Sequence, residues 1–186
     1  MQTLLSQLCD TEITVLSLDD IGFYDDIIED ADTFSGNALL KAKAPKCKEY
    51  PVIADDSGVI VHILGDEPGV YSARYAGEHA SDDENNEKLL LKLAHAKGKD
   101  RDATFYSSIA CVFPDGSEII TEGICPGTIL HEYRGHGGFG YDPLFLVTAT
   151  NKTFAEMNAE EKNICSHRAM AMKKFAIEFN KKINEN

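Results

Sequence analysis

Two adjacent acidic residues at the end of an apolar stretch constrain the fold more than any other feature of this sequence. Residues 52–54 (VIA) are typical of a buried strand, and Asp55 and Asp56 follow directly. Because neighbouring residues of a strand point to opposite faces of a sheet, at least one acid faces inward unless the strand ends there. An inward carboxylate needs a metal, a base or a hydrogen-bond network. The alternative is a strand-ending turn with both acids solvated.

The pattern of apolar residues and turns along the chain predicts an α/β protein with a mixed sheet. A helix is expected at 81–96, where Ser81 and Glu84 form an S-x-x-E capping box. Further helices are expected at 3–8, 37–50, from Asn158 and at 166–180. Pro45 should kink or end the helix that contains it. Strands are expected at 13–18, 52–54, 58–64, 103–113, 118–124 and 143–147. We find no repeat or low-complexity linker, so 1–186 is predicted to be a single domain.

Composition narrows the class of protein. Apolar residues make up 43% of the chain, enough for a packed core. Acids outnumber bases by 31 to 18, and the formal net charge of −13 argues against nonspecific nucleic-acid or membrane-surface binding. No apolar run approaches the roughly 20 residues of a membrane span, and we expect no secretion signal. Five cysteines without a C-x-x-C pair indicate reduced thiols in a cytoplasmic protein.

More acidic residues precede the strand at 52–54. They are Asp25, Asp26, Glu29, Asp30 and Asp32. One interpretation is a solvated acidic loop. The other is that one of them joins Asp55 or Asp56 on Mg²⁺, which prefers oxygen ligands and commonly bridges carboxylates to substrate phosphates. No His/Cys cluster has the spacing of a zinc site, so zinc is not expected.

Two further segments could bind a ligand. Residues 135–143 (GHGGFGYDP) hold four glycines around two aromatic residues and an acid. Glycines allow close backbone approach, and an aromatic face can stack on a purine; the alternative is a tight loop with core aromatics. Ser166, His167 and Arg168 stand at a helix start, which offers donors to anions or carbonyl oxygens. Lys162 could join them, and the alternative is a surface pair.

Together these segments resemble the inosine triphosphate pyrophosphatase family, the non-canonical purine nucleoside triphosphate (dITP/XTP) pyrophosphatases. Each block alone is weak, but the blocks occur in family order over nearly the whole chain and are together highly specific. The matching residues are 33–34, 37–38, 41–42, 53–58, 68–75, 137–143, 152–157 and 166–168.

The resemblance implies two lobes around a long mixed sheet, with the active site in the cleft between them. It implies Mg²⁺-dependent cleavage of ITP, dITP or XTP to the monophosphate and pyrophosphate by a homodimer that acts on no nucleic acid and binds no membrane. It assigns the general base to Asp56 and the metal carboxylates to Asp56, Glu29 and Asp55. Positions matching substrate contacts are Lys41, Ser57, Phe139, Gly140, Tyr141, Asp142, Lys162, His167 and Arg168.

Two of these residues suggest how the base is recognised. His167 and Arg168 are suited to donate hydrogen bonds to the 6-oxo group of the purine. A pocket built from such donors rejects a 6-amino group, since a buried hydrogen bond is lost. A pyrophosphatase acting on other modified nucleotides is a related alternative that residues 137–143 and 166–168 disfavour.

The amino-terminal region departs from the family pattern. Family members usually begin with a strand and a T/S-x-N-x-x-K loop that grips the triphosphate, and no such segment stands before residue 3. The resemblance therefore implies a shortened member with reduced activity. A second hypothesis is a non-enzymatic member that binds nucleotides or acts as a structural partner.

Overall fold

The computed structural model describes residues 2–185. The expectation of a shortened amino terminus concerns Met1, which lies outside the described residues. The helices are α1 (Gln2–Leu8), α2 (Phe34–Lys43), α3 (Asp82–Lys92), α4 (Ala159–Cys165) and α5 (His167–Asn184). The strands are β1 (Val52–Val61), β2 (Asp102–Val112), β3 (Glu118–Ile129), β4 (Phe145–Val147) and β5 (Lys152–Thr153). They form a sheet in the order β1-β2-β3-β4-β5, in which β4 is antiparallel to β3 and to β5. The predicted α/β class is confirmed.

The chain divides into two compact units. The first comprises Met1–Asp56, Ser107–Gly123 and Arg168–Asn186, and the second comprises Ser57–Tyr106 and Ile124–His167. Helices α1 and α2 belong to the first unit, whereas α3 and α4 belong to the second. The single domain over 1–186 and the cleft between two lobes stay predictions. Within residues 2–185 no helix has the length and apolar character needed to cross a membrane.

The first unit buries both faces of its part of the sheet. On β2, Ile109 packs in a cluster with Phe175 of α5, whereas the next residue, Ala110, packs with Ala38 and Ala42 of α2. This follows from the period of two in a strand and of about four in a helix. Apolar residues on both strand faces therefore predict cover on both sides, which α5 and α2 supply.

The second unit has a core of its own. Aromatic rings form its centre: Phe105 lies 4.5 Å from Phe145 and 5.6 Å from Phe154, measured between ring centroids. Leu89 and Leu93 are fully buried against this cluster. Helix α3 begins where predicted, because Ser81 and Glu84 form both bonds of a capping box.

Strand β1 corrects one sequence-based expectation. Residues 52–54 and 58–64 were expected to be separate strands broken by a turn, but one strand runs from Val52 to Val61. Ile53 packs in the cluster beside α5 and Ala54 in the cluster beside α2. By the same alternation Asp55 faces α5 and Asp56 faces α2, where each has a cationic partner. The turn with two solvated acids is therefore wrong.

Two other boundaries differ from expectation. The strand predicted at 13–18 is wrong, because these residues form no regular secondary structure; Ile13 and Val15 instead pack beside α1 and α5. Helix α2 begins at Phe34, capped by Thr33, and ends at Lys43, before Pro45. The early end expected from this proline is confirmed, since proline cannot continue the hydrogen-bond ladder.

Candidate active site

In the first unit, α2 and β1 bring a lysine between two carboxylates. The Lys41 ammonium nitrogen lies 2.8 Å from an oxygen of Asp56 and 3.0 Å from an oxygen of Glu29. The side chains of Lys41 and Asp56 are 20% and 12% exposed, so the pair is mostly desolvated yet reachable from solvent. Of the five acids at 25–32 in the sequence, Glu29 is thus the one that joins Asp56 here.

Asn37 completes this cluster. It is fully buried, accepts a hydrogen bond from the Ala31 N–H at 3.0 Å and donates to the second oxygen of Asp56 at 3.4 Å. Asn37 therefore ties the segment behind Glu29 to the carboxylate of Asp56. The site prediction omitted Asn37, although the resemblance includes residues 37–38; an asparagine inside a helix, a poor helix former, is the available signal.

The surroundings of Asp56 favour its protonated form. Burial raises the pKa of the Asp56 carboxyl and the nearby Glu29 charge raises it further, outweighing the lowering by Lys41. For Lys41, burial lowers the pKa, but the bonds to Asp56 and Glu29 outweigh burial and the net direction is upward. Lys41 therefore stays cationic, and Asp56 is a stronger base than an exposed aspartate.

Asp55 has a different partner. Its carboxylate accepts a 2.6 Å hydrogen bond from Nε of Arg168, at the start of α5. The structure therefore brings Asp56 and Glu29 together, but it places Asp55 in an ion pair on the opposite face of β1. Ser57 follows Asp56 in the same strand and is the first residue of the second unit.

The second unit gathers three of the predicted substrate-contacting residues. Lys162 of α4 pairs with Asp142, whose side chain is almost fully buried. The Lys162 ammonium also lies 5.2 Å from the centroid of the Phe139 ring, which is 64% exposed. A cation beside an open aromatic face suits a planar, electron-rich ligand such as a nucleobase. Gly140 follows Phe139 and turns the loop with a φ of 58°.

Close packing explains one glycine of this loop. A Cβ added to Gly138 would lie 2.1 Å from Oδ2 of Asp142. The same oxygen accepts a 3.0 Å hydrogen bond from the Phe139 N–H. Gly138 thus allows Asp142 to fold back on the loop and fix the residue that carries the exposed ring.

Two predicted contact residues are buried in the second unit. Tyr141 is 5% exposed, and its hydroxyl donates a 2.8 Å hydrogen bond to the Ser72 carbonyl oxygen. Its side chain therefore holds the loop onto the core. His167 is 6% exposed and stacks on Phe105, with ring centroids 4.6 Å apart and planes 7° from parallel.

The residues of the first unit fit a magnesium ion better than a closed metal cage. Within residues 2–185, no three His, Cys, Asp or Glu side chains come together as a ligand set. Two carboxylates, Asp56 and Glu29, already converge on one cationic group. Mg²⁺ is commonly held by one or two carboxylates, with waters and substrate phosphates as its other ligands.

Comparison with known proteins identifies similar sequences and structures. The Ham1 family profile matches residues 1–178. A dITP/XTP pyrophosphatase of Clostridium perfringens is 45% identical over 174 residues, which cover 90% of this chain and 85% of that protein. One of Leuconostoc mesenteroides is 48% identical over 163 residues, covering 87% and 81%. A solved HAM1 protein from Coxiella burnetii aligns with a TM-score of 0.87 and 36% identity, over 97% of this chain and 93% of that chain.

Proposed function

Because this chain belongs to the Ham1 family, we propose that it hydrolyses non-canonical purine nucleoside triphosphates, dITP and XTP among them, to the monophosphate and pyrophosphate. The observation that carries this conclusion is the cluster of Asp56, Lys41 and Glu29. The resemblance to inosine triphosphate pyrophosphatases is confirmed. The non-enzymatic alternative is not favoured, since relatives over most of the chain are named as pyrophosphatases.

Asp56 acts as the general base. Its raised pKa makes it a better proton acceptor than an exposed aspartate. It takes the proton of the water that attacks the phosphoryl group, and the anhydride bond between the α and β phosphates breaks. Asn37, bonded to the other oxygen, fixes the direction of the carboxylate.

Two groups neutralise the negative charge of the triphosphate. Lys41 is the cationic side chain for the phosphate oxygens, since its raised pKa keeps it protonated. Mg²⁺, held by Asp56 and Glu29, would supply further neutralisation of the phosphate oxygens. Asp55 instead orients Arg168 through their ion pair.

The remaining predicted contact residues bind the base. Phe139 offers an exposed ring for stacking, and Lys162, paired with Asp142, lies 5.2 Å from its centroid. His167 and Arg168 are the donors for the 6-oxo group, and Ser57 contacts the substrate beside Asp56. Such donors favour hypoxanthine and xanthine over adenine, which carries a 6-amino group.

The substrate is a small nucleotide. Action in the cytoplasm as a homodimer stays part of the proposal. Sedimentation equilibrium of the full chain measures the assembly directly, and a monomer at micromolar concentration would contradict the dimer.

The proposed function is tested with Asp56→Asn. Pyrophosphate release from dITP with Mg²⁺ should fall by about 10²-fold or more, because the proton acceptor is lost. Asp26→Asn removes an equal charge from an exposed position and is the matched control. Wild-type turnover of dITP no faster than of dATP would contradict the substrate class, and near-normal release by Asp56→Asn would contradict the base.

A further inference from the structure

The exposed ring of Phe139 stands between two flexible residues. Gly138 and Gly140 flank it, with φ values of 78° and 58°. Glycine adopts such angles without steric cost, and for the same reason it restrains its neighbours weakly. With 64% of Phe139 exposed, packing of the ring itself holds it only in part. Contacts from other residues must therefore fix the orientation of the ring.

Helix α3 binds the backbone just beyond the ring. The Gly140 N–H donates a 2.6 Å hydrogen bond to Oδ2 of Asp82. The Asn86 side-chain amide donates a 2.9 Å hydrogen bond to the Gly140 carbonyl oxygen. Asp82 and Asn86 are four residues apart and therefore lie on one face of the helix.

These two bonds restrain both peptide planes at Gly140. Its N–H belongs to the peptide that follows Phe139, and its C=O belongs to the peptide that precedes Tyr141. The Phe139 N–H is bonded to Asp142. The backbone is thus held immediately before and immediately after the ring, which fixes the direction of its Cα–Cβ bond.

Packing does not replace these bonds. A Cβ added to Gly140 would meet no atom within 4 Å, so no neighbouring group packs against this side of the glycine. Asn86 is 1% exposed, and burying a side-chain amide is energetically unfavourable unless the amide makes hydrogen bonds. Its donor is used on Gly140, 54 residues away in the sequence.

We propose that Asp82 and Asn86 are positioning residues that hold Gly140 and thereby fix the Phe139 ring as the stacking surface for the purine base. This inference rests on the proposed function. Asp82 and Asn86 do not touch the substrate; they act through the backbone of residues 139–140. Loss of either bond should leave the chemistry intact and loosen the ring.

The first test follows the ring directly. The sequence contains no tryptophan, so Phe139→Trp creates a single tryptophan that can be excited selectively over the tyrosines. Time-resolved anisotropy should show a rigid indole in this background. Adding Asp82→Ala or Asn86→Ala should lower the residual anisotropy, whereas Asp82→Asn, which keeps an acceptor oxygen, should retain it.

Two matched variants separate positioning from general loss of stability. Asp83→Ala removes an acidic residue from the same first turn of α3 without touching Gly140. Asn85→Ala removes a neighbouring buried asparagine that instead binds Ala76 and Ala73. Both variants should retain the residual anisotropy of the Phe139→Trp protein. Because Asp82 is exposed, its variants also keep the test open if Asn86→Ala folds poorly.

The second test uses steady-state kinetics with Phe139 intact. Asn86→Ala and Asp82→Ala should raise KM for dITP about fivefold to tenfold, as expected for partial loss of base stacking, with kcat within about twofold. In a Phe139→Ala background the same substitutions should raise KM no further, because no ring is left to position.

The inference is overturned if Asp82→Ala and Asn86→Ala leave the anisotropy unchanged, or if their effects on KM add to that of Phe139→Ala. Failure of the proposed function gives a different result. The parent would not hydrolyse dITP, while the anisotropy would still report whether α3 holds the ring.

Discussion

At the residue scale, the environment of Asp56 favours activity but lowers the stability of the folded protein. Burial raises its pKa above the ordinary value of 3.8, so the folded protein binds this proton more tightly than the unfolded chain. Stability therefore falls as the pH rises through the interval between the two pKa values, and at neutral pH the ionised carboxylate is destabilising. A carboxylate held in this way is typical of an active site.

Asp56→Asn should therefore raise the melting temperature at pH 7 while lowering turnover by about 10²-fold or more. Its amide resembles the protonated carboxyl, so the gain should shrink as the pH falls and vanish near pH 3.8 or below. Thermal unfolding of both proteins from pH 3.5 to 8 measures this difference. A lower melting temperature than wild type at pH 7 would show that the Lys41 ion pair, and not burial, dominates at this position.

At the element scale, Arg101 joins two separate parts of the second unit. It is 3% exposed, and its guanidinium donates to the carbonyl oxygens of Leu93, Ile129 and Leu130 at 2.6–2.7 Å. One side chain thus binds the end of α3 and the end of β3 together. The Leu93 carbonyl also accepts a 3.1 Å hydrogen bond from the Ala96 N–H, so the arginine reinforces the end of the helix while it holds the end of the strand.

Arg101→Leu should lower the free energy of unfolding by about 3 kcal/mol or more, because three hydrogen bonds from a charged donor are lost, each worth about 1.5–3 kcal/mol. Urea unfolding followed by circular dichroism measures the loss. Lys99→Leu removes an exposed cation from the same short helical turn and should change stability by less than about 0.5 kcal/mol. Equal effects of the two substitutions would contradict a bracing role for Arg101.

At the scale of the whole molecule, substrate binding should appear as added stability. A dITP analogue with a methylene group between the α and β phosphorus atoms cannot be cleaved at that bond. At one hundred times its Kd, in the presence of Mg²⁺, it should add about 2.7 kcal/mol to the free energy of unfolding. For a chain of this size that raises the melting temperature by about 5–10 °C.

The matching adenine analogue is the control for this shift. It carries the same phosphates and charge, so any stabilisation common to both analogues belongs to the phosphate contacts alone. Differential scanning fluorimetry at equal concentrations compares them. Equal shifts would contradict base recognition through the 6-oxo group while leaving phosphate binding in place.

Much of the fold followed from signals that are local in the sequence. The capping box of Ser81 and Glu84 and the asparagine cap at Asn158 were recognisable because a cap and its partner are three residues apart. Pro45 marked the end of α2 because its ring acts on its own turn. The strands at 103–113 and 118–124 were expected on either side of a hairpin turn at residues 114–117 (PDGS), and β2 and β3 occupy these positions.

Only the tertiary structure decided what the two adjacent acids do. The partner of Asp55 is Arg168, 113 residues away, and that of Asp56 is Lys41 on a different helix. These partners let β1 continue past 54, which residues 52–58 alone could not reveal. The bonds from Asp82 and Asn86 to Gly140 likewise join distant segments. The energies of helix caps and turns depend on residues that are close in the sequence, so the sequence predicts them directly. A buried charge or a loop is stabilised by groups from distant segments, which only the fold brings to it.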